Sequence, residues 1–355
     1  MRMFVFFLTV FLILLLVFSP YFNKKDFDKN LNETIPGYEF SMVKLEAGLL
    51  IDFFSKRENL GLTREEEVKI VLNYFNGENK NKRIVEIIIA KQIEEVLVGE
   101  GFFLFPMVSF SITPLPGFLV ISPKNEIRRE KEIHVIPDLS DTKKEEIEAK
   151  VDALGVSSFI TDLSGTSTFP IIVSNGASLR ETIEIVVHEW VHQYLFFRPL
   201  GFRYALHFLG WKNDDIATIN EAAADIVEEE IGEIIYNRYY LSFENQNEKT
   251  ASVSTFDFRS KMRKIRQDVD GLLLREKIEE AEKYMEEQRL YINSHGFNIR
   301  KLNQAYFAFN GTYPSISVNP LTERVKDVRE KSTSLKGFLD EIGKIRKAEE
   351  LLKNS

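Results

Sequence analysis

The chain opens on a run in which every residue from Met3 to Phe18 is apolar except Thr9, with Arg2 before it and Lys24-Lys25 after it. That length lies at the short edge of the about 17–25 residues that cross a bilayer as a helix. It also slightly exceeds the about 7–15 residue apolar core of an ordinary signal peptide. No small-x-small cleavage site follows, because Val17-Phe18-Ser19 is too bulky. The pattern predicts an uncleaved, single-pass signal anchor over residues 1–20; a cleaved signal and a buried core helix are the alternatives. Arg2 competes with the two lysines in setting orientation, and an export-type leader places the rest of the chain on the outer side of the membrane.

Residues 21–37 are polar, end at Pro36-Gly37 and read as a linker. Residues 38–99 read as helical. Thr63-Arg64-Glu65-Glu66 is a capping-box signature, and Ile84 to Val98 is densely apolar between charges. The uncharged stretch 101–121 resembles a membrane span in hydropathy alone, but Pro106, Pro114, Pro116 and Gly117 exclude a helix. Strands are expected at Phe118–Ser122, Ile133–Ile136, Val156–Asp162 and Phe169–Ser174, with a helix from Thr142 to near Gly155. Helices follow over 178–198 and 216–237. Met262, Ile265, Val269 and Leu272 then mark a charged helical segment interrupted at Arg275 to Glu280, either a solvated hairpin or a partner-binding coiled coil. Ser334–Lys353 reads as one amphipathic helix. The sum is an α+β fold, predominantly helical.

A formal net charge of −8, with acids and bases interleaved, argues against a nucleic-acid binder. The chain has no cysteine, so any metal must sit on His, Asp or Glu. Histidine is scarce, five in all, yet two stand in Val187-His188-Glu189-Trp190-Val191-His192-Gln193. Residues four apart share a helix face, so His188 and His192 can direct imidazole nitrogens at one ion. Glu189, one residue after the first ligand, is placed to take a proton from a water at the open position. The helix itself is argued independently, by the capping box Ser178-Leu179-Arg180-Glu181 and the apolar positions Ile183, Val186, Val187, Trp190, Val191 and Leu195.

Such a site needs a third ligand from another helix. In Asn220-Glu221-Ala222-Ala223-Ala224-Asp225, Glu221 and Asp225 share a face and the alanines keep the helix slim. Glu221 can bind the metal, and Asp225 can accept the remaining N–H of a ligand histidine.

His188-Glu189-x-x-His192 with Asn220-Glu221-x-x-x-Asp225 resembles the gluzincin group of thermolysin-like zinc metallopeptidases, over residues 165–237. The resemblance implies Zn2+ on His188, His192 and Glu221, Asp225 behind the ligands, and a small mixed sheet packed on the active-site helix. It makes 38–355 one zincin-like domain, with a helical and strand part over 38–164, the zinc core at 165–237 and a helical part over 238–355. The 28 residues between His192 and Glu221 exceed the thermolysin spacing, so a loop from Arg198 to Asp215 is expected to cross between the helices. The chain is also loosely similar to bacterial envelope proteins described as putative aminopeptidases, which share an Asn-x-Ala motif, here Asn303-Gln304-Ala305. The Gly-x-Met-Glu-Asn signature of better-known aminopeptidases is missing.

The implied reaction is peptide hydrolysis by a metal-activated water, with Glu189 as general base and a peptide or protein as substrate. Tyr306 is the candidate stabiliser of the developing oxyanion, with Tyr313, His295 and Tyr194 behind it. Phe169–Ser174 is either an edge strand that aligns substrate or an ordinary core strand. Two other readings stay open: a membrane-anchored zinc scaffold without turnover, and a zinc hydrolase of a non-peptide amide or ester.

Overall fold

The computed structural model describes residues 25–42, 45, 48–49, 60–78, 80–208, 211, 213–243, 256–310 and 320–353. The expected anchor over 1–20 lies outside the described residues. The segment read as a linker is mostly a helix, α1 (Lys25–Thr34). Phe27, Leu31 and Ile35 recur every fourth residue, too sparse a stripe to stand out in a polar sequence. Leu31 and Ile35 are nevertheless fully buried among Leu119, Ile121 and Val135. Pro36-Gly37 does end the helix, with Gly37 at φ +80°. Next come α2 (Arg64–Asn73), whose Thr63–Glu66 capping box is formed, and α3 (Lys82–Gly99).

The proline-rich apolar stretch becomes strands, β1 (Phe110–Ile112) and β2 (Gly117–Pro123), followed by β3 (Lys131–Val135). Among the described residues no helix is long and apolar enough to cross a membrane. Helix α4 (Asp141–Asp152) starts one residue earlier than expected, because Ser140 rather than Thr142 caps it. It leads to β4 (Val156–Asp162), β5 (Gly165–Thr166) and β6 (Ile171–Val173).

Among the described residues these strands form two three-stranded sheets. One is antiparallel, in the order β3-β2-β4. The other is mixed: β6 lies between β1, which it pairs in parallel, and β5, which it pairs antiparallel. The mixed sheet packs on α5 (Leu179–Phe196), the helix that carries the two histidines. The expected small mixed sheet is therefore present, but β6 is its centre rather than an edge.

The segment between the motif helices is no plain loop. It folds as α6 (Pro199–Phe208), which touches both α5 and the long α7 (Asp214–Tyr239). Helices α8 (Phe258–Leu273) and α9 (Ile278–Asn293) form a hairpin over their own core of Met262, Ile265, Val269 and Met285, broken where expected, at Glu276 with φ +59°. Helix α10 (Gln304–Asn310) packs on β2 and β4. The chain ends in α11 (Leu321–Lys331), α12 (Leu335–Ile342) and α13 (Ala348–Lys353). The expected single C-terminal helix is thus two, parted after Ile342, where Gly343 lies so close to Arg198 that a Cβ would come within 2.3 Å of its Cδ.

A buried ion pair fastens the C-terminal part to the antiparallel sheet. Arg300 donates through both terminal nitrogens to Glu148 (2.8 and 2.6 Å) and to the carbonyl of Ile160 (2.9 Å). Glu148 is 1% exposed, so removing its main partner strands a charge in a low-dielectric setting. Arg300→Met should cost about 3 kcal/mol, the lower end for a broken buried pair, since Lys301 stays 3.3 Å from the same carboxylate. An unchanged urea midpoint would show that this pair adds nothing to stability.

Candidate metal centre

Helix α5 forms for local reasons. The Ser178 amide donates to Glu181 (2.8 Å) and the Ser178 hydroxyl accepts from the Glu181 amide (3.3 Å), which closes the capping box. Ile183, Val186, Val187, Trp190 and Val191 are fully buried. Trp190 anchors this side by donating its indole N–H to the carbonyl of Pro106 (2.9 Å) while meeting Phe102 edge-on. With that face fixed in the core, His188 and His192 turn towards α7.

Helix α7 can come close because its contact face is small. Ala222, Ala223 and Ala224 are buried, and at Gly232 a Cβ would lie 3.0 Å from Glu184 Cγ on α5. Three donor atoms converge across the crossing. His188 Nε2 and His192 Nε2 lie 3.0 Å apart, and Glu221 Oε2 lies 3.3 and 3.7 Å from them. Donors each about 2.0–2.1 Å from a tetrahedral zinc stand about 3.3 Å from one another, so the triangle has the right size. Glu221 Oε2 is moreover buried and accepts no hydrogen bond among the described residues. Its neighbours are the two Nε2 atoms, at ion-pair distance, and a cation on this triangle would satisfy all three donors. Two imidazoles and a carboxylate suit zinc.

The far side of each ligand is engaged. His188 Nδ1 donates to Glu228 Oε2 (2.7 Å), with Asp225 Oδ1 at 3.3 Å. His192 Nδ1 donates to Asn220 Oδ1 (2.6 Å), and Glu221 Oε1 accepts from the Tyr204 hydroxyl (2.5 Å). Each hydrogen bond to Nδ1 selects the tautomer whose Nε2 lone pair faces the centre. Asp225 is thus near His188, as expected, but Glu228 makes the shorter contact.

Charge is distributed unevenly. Burial opposes protonation of His188, but the carboxylates of Asp225, Glu221 and Glu228 outweigh it and lift its pKa well above the ordinary value. Burial holds His192 down to about 4. Burial also works against ionisation of Glu221, yet the facing imidazoles of His192 and His188 and the Tyr204 hydroxyl hold its carboxyl down to about 2. Glu189 goes the other way: burial, with Glu221 and Glu228 nearby, raises it to about 7. Among the described residues no hydrogen bond or ion pair occupies the Glu189 carboxylate. It faces β5, where a Cβ on Gly165 would lie 3.0 Å from its Oε1.

The expected ligands His188, His192 and Glu221 come together, with Glu189 beside them. Tyr306 does not join them. Its ring lies edge-on to Phe159 in a cluster under the antiparallel sheet, burial raises its pKa to about 12, and no contact links it to the donor triangle among the described residues. His295 stacks on Phe256, and Tyr194 stacks on Trp190 and accepts from Arg198. Tyr313 lies outside the described residues. Sequence reasoning missed Glu228, Asn220 and Tyr204. Glu228 had a signal, since 221, 225 and 228 follow the i, i+4, i+7 spacing of one helix face. Tyr204 had none.

No protein-family model, no curated protein and no solved structure matches this chain.

Two outcomes follow for the metal. His188 is held protonated by Glu221 at its Nε2 and by Asp225 and Glu228 at its Nδ1; since the metal must displace the Nε2 proton, binding should release about one proton and weaken about tenfold per pH unit below the raised His188 pKa. Calorimetry in buffers of different ionisation enthalpy reads this directly. Glu228→Gln should weaken zinc binding about 10–100-fold and more than Asp225→Asn does; the reverse ranking would return the main contact to Asp225.

Proposed function

We propose that this chain is a zinc-dependent metallopeptidase of the gluzincin type, held at a membrane by its N-terminal apolar segment with the catalytic part on the outer side. The observation that carries the reading is a buried carboxylate, Glu189, that makes no hydrogen bond or ion pair among the described residues, beside a convergent set of two imidazoles and a carboxylate. A base whose pKa lies near the working pH can both accept and return a proton, and burial raises Glu189 in that direction in the metal-free protein.

His188, His192 and Glu221 would hold the ion. Bound there, zinc supplies the Lewis acidity that makes water acidic near neutral pH and polarises a carbonyl oxygen. Glu189 receives the proton of the attacking water on its carboxylate and passes it to the leaving nitrogen. Glu228 and Asn220 hold the two imidazoles in register, which keeps their Nε2 lone pairs directed at the ion. Strand β5 takes over the substrate-aligning role expected of residues 169–174. Among the described residues it is one of the two outer strands of the mixed sheet, the other being β1, and Gly165 brings its backbone close to Glu189. An extended peptide paired with β5 would therefore lie next to the base.

Glu189→Gln should keep zinc at wild-type stoichiometry and lose about 10²–10⁴-fold in peptide hydrolysis. Glu221→Ala and His188→Ala should lose the metal as well. Elemental analysis alongside a peptide and ester substrate panel, with and without chelator, checks all three. Full turnover by Glu189→Gln would remove it as the base, and ester-only turnover would redirect the substrate class.

A further inference from the structure

Helix α6 belongs to neither ligand-bearing helix, yet one of its side chains touches two of the three ligands. The Tyr204 hydroxyl lies 2.5 Å from Glu221 Oε1, and its ring lies nearly parallel to the His192 imidazole, with centroids 4.9 Å apart at 15°. We propose that Tyr204 is a positioning residue for the metal, restricting Glu221 to a one-oxygen ligand and fixing the plane of His192. This rests on the zinc reading above and adds to it.

A carboxylate facing a cation can bind through one oxygen or chelate through both. The phenol hydrogen bond is charge-assisted, since it runs to an ionised carboxylate. It commits Oε1 and leaves Oε2 as the oxygen nearest both Nε2 atoms. A chelating carboxylate would occupy one more position on the ion, and hydrolytic zinc sites depend on keeping a position open for water and substrate. The ring does the complementary job: stacked on the imidazole, it restrains rotation of His192 about its own side-chain axis, while Asn220 fixes the tautomer.

Tyr204 reaches this place pre-set, which is what a positioning residue requires. At Gly201 a Cβ would lie 2.2 Å from the Leu195 carbonyl, so only glycine lets α6 fold back on the end of α5. The Leu200 amide donates to the Gly343 carbonyl (3.1 Å), and beyond α6 the Asn213 amide donates to His207 Nδ1 (2.9 Å). Both ends of the crossing segment are therefore tied.

The test compares full-length wild type with Tyr204→Phe, which keeps the ring and removes the hydroxyl. Zinc affinity by competition with a chromophoric chelator should fall about 10–100-fold. The cobalt(II)-substituted forms supply a readout that a merely structural tyrosine would not move. Wild type should show the intense visible bands of low coordination, and Tyr204→Phe weaker bands as Glu221 closes to chelation. Equal affinity and identical spectra would overturn the role of Tyr204 and leave the zinc site standing. Wild type that takes up no zinc would overturn both. Should Tyr204→Phe fail to fold, X-ray absorption on zinc-loaded wild type decides: a one-oxygen carboxylate supports the proposal, and a chelating one overturns it.

Discussion

The close crossing of α5 and α7 is the contact on which everything at this centre depends. Two histidines on one helix face make only half a metal site, and the carboxylate that completes it is useful only if its helix approaches within bonding reach. Packed helix axes usually lie about 8–10 Å apart, with small contact residues setting the near end. Ala222 to Ala224 and Gly232 supply such a surface on α7, and the buried face led by Trp190 fixes the rotation of α5. The apolar packing thereby sets the polar geometry. A large side chain at Gly232, which lies on the Glu221 face against Glu184, would push Glu221 away from the imidazoles without touching a ligand.

Burying four ionisable groups together is expensive unless each is satisfied. The arrangement meets that cost outward and leaves it open inward. Glu228, Asn220 and Tyr204 take up the outer atoms of His188, His192 and Glu221, so what remains is a triangle of donors facing one another. A proton on His188 partly answers that need in the protein alone, which is why proton release should accompany metal binding. Glu189 stands outside this web and is raised by burial rather than held by a partner. Three carboxyl groups on adjoining helices thus differ through their surroundings alone: Glu221 is held ionised by the facing imidazoles, Glu228 stands behind His188, and Glu189 is raised by burial.

Much of this was legible from local pattern. The capping boxes at Thr63 and Ser178 form as read, although Ser140 rather than Thr142 caps α4; β4 spans the expected residues, and α5 and α7 fall within two or three residues of their expected ends. The failures share a cause. Residues 25–34 read as a linker because two apolar residues in ten, Phe27 and Leu31, carry little weight until they meet the sheet that buries them. The crossing segment 198–215 reads as a loop because its helix is held in place by α5 and α7 rather than by a strong stripe of its own. Tyr306 was chosen by neighbourhood to a motif, and its helix packs on the other sheet.

Local spacing alone carries the elements of the site: two histidines a helical turn apart, a glutamate beside the first, and Glu221, Asp225 and Glu228 on one face of a second helix. Those are matters of spacing within one helix, and the helical period is written into the residues. Only the tertiary structure decided which carboxylate backs His188, that a tyrosine from α6 grips Glu221, and that β5 rather than β6 lies at the sheet edge beside Glu189. These are contacts between elements distant along the chain, set by how buried faces fit against one another, and no local period encodes that fit.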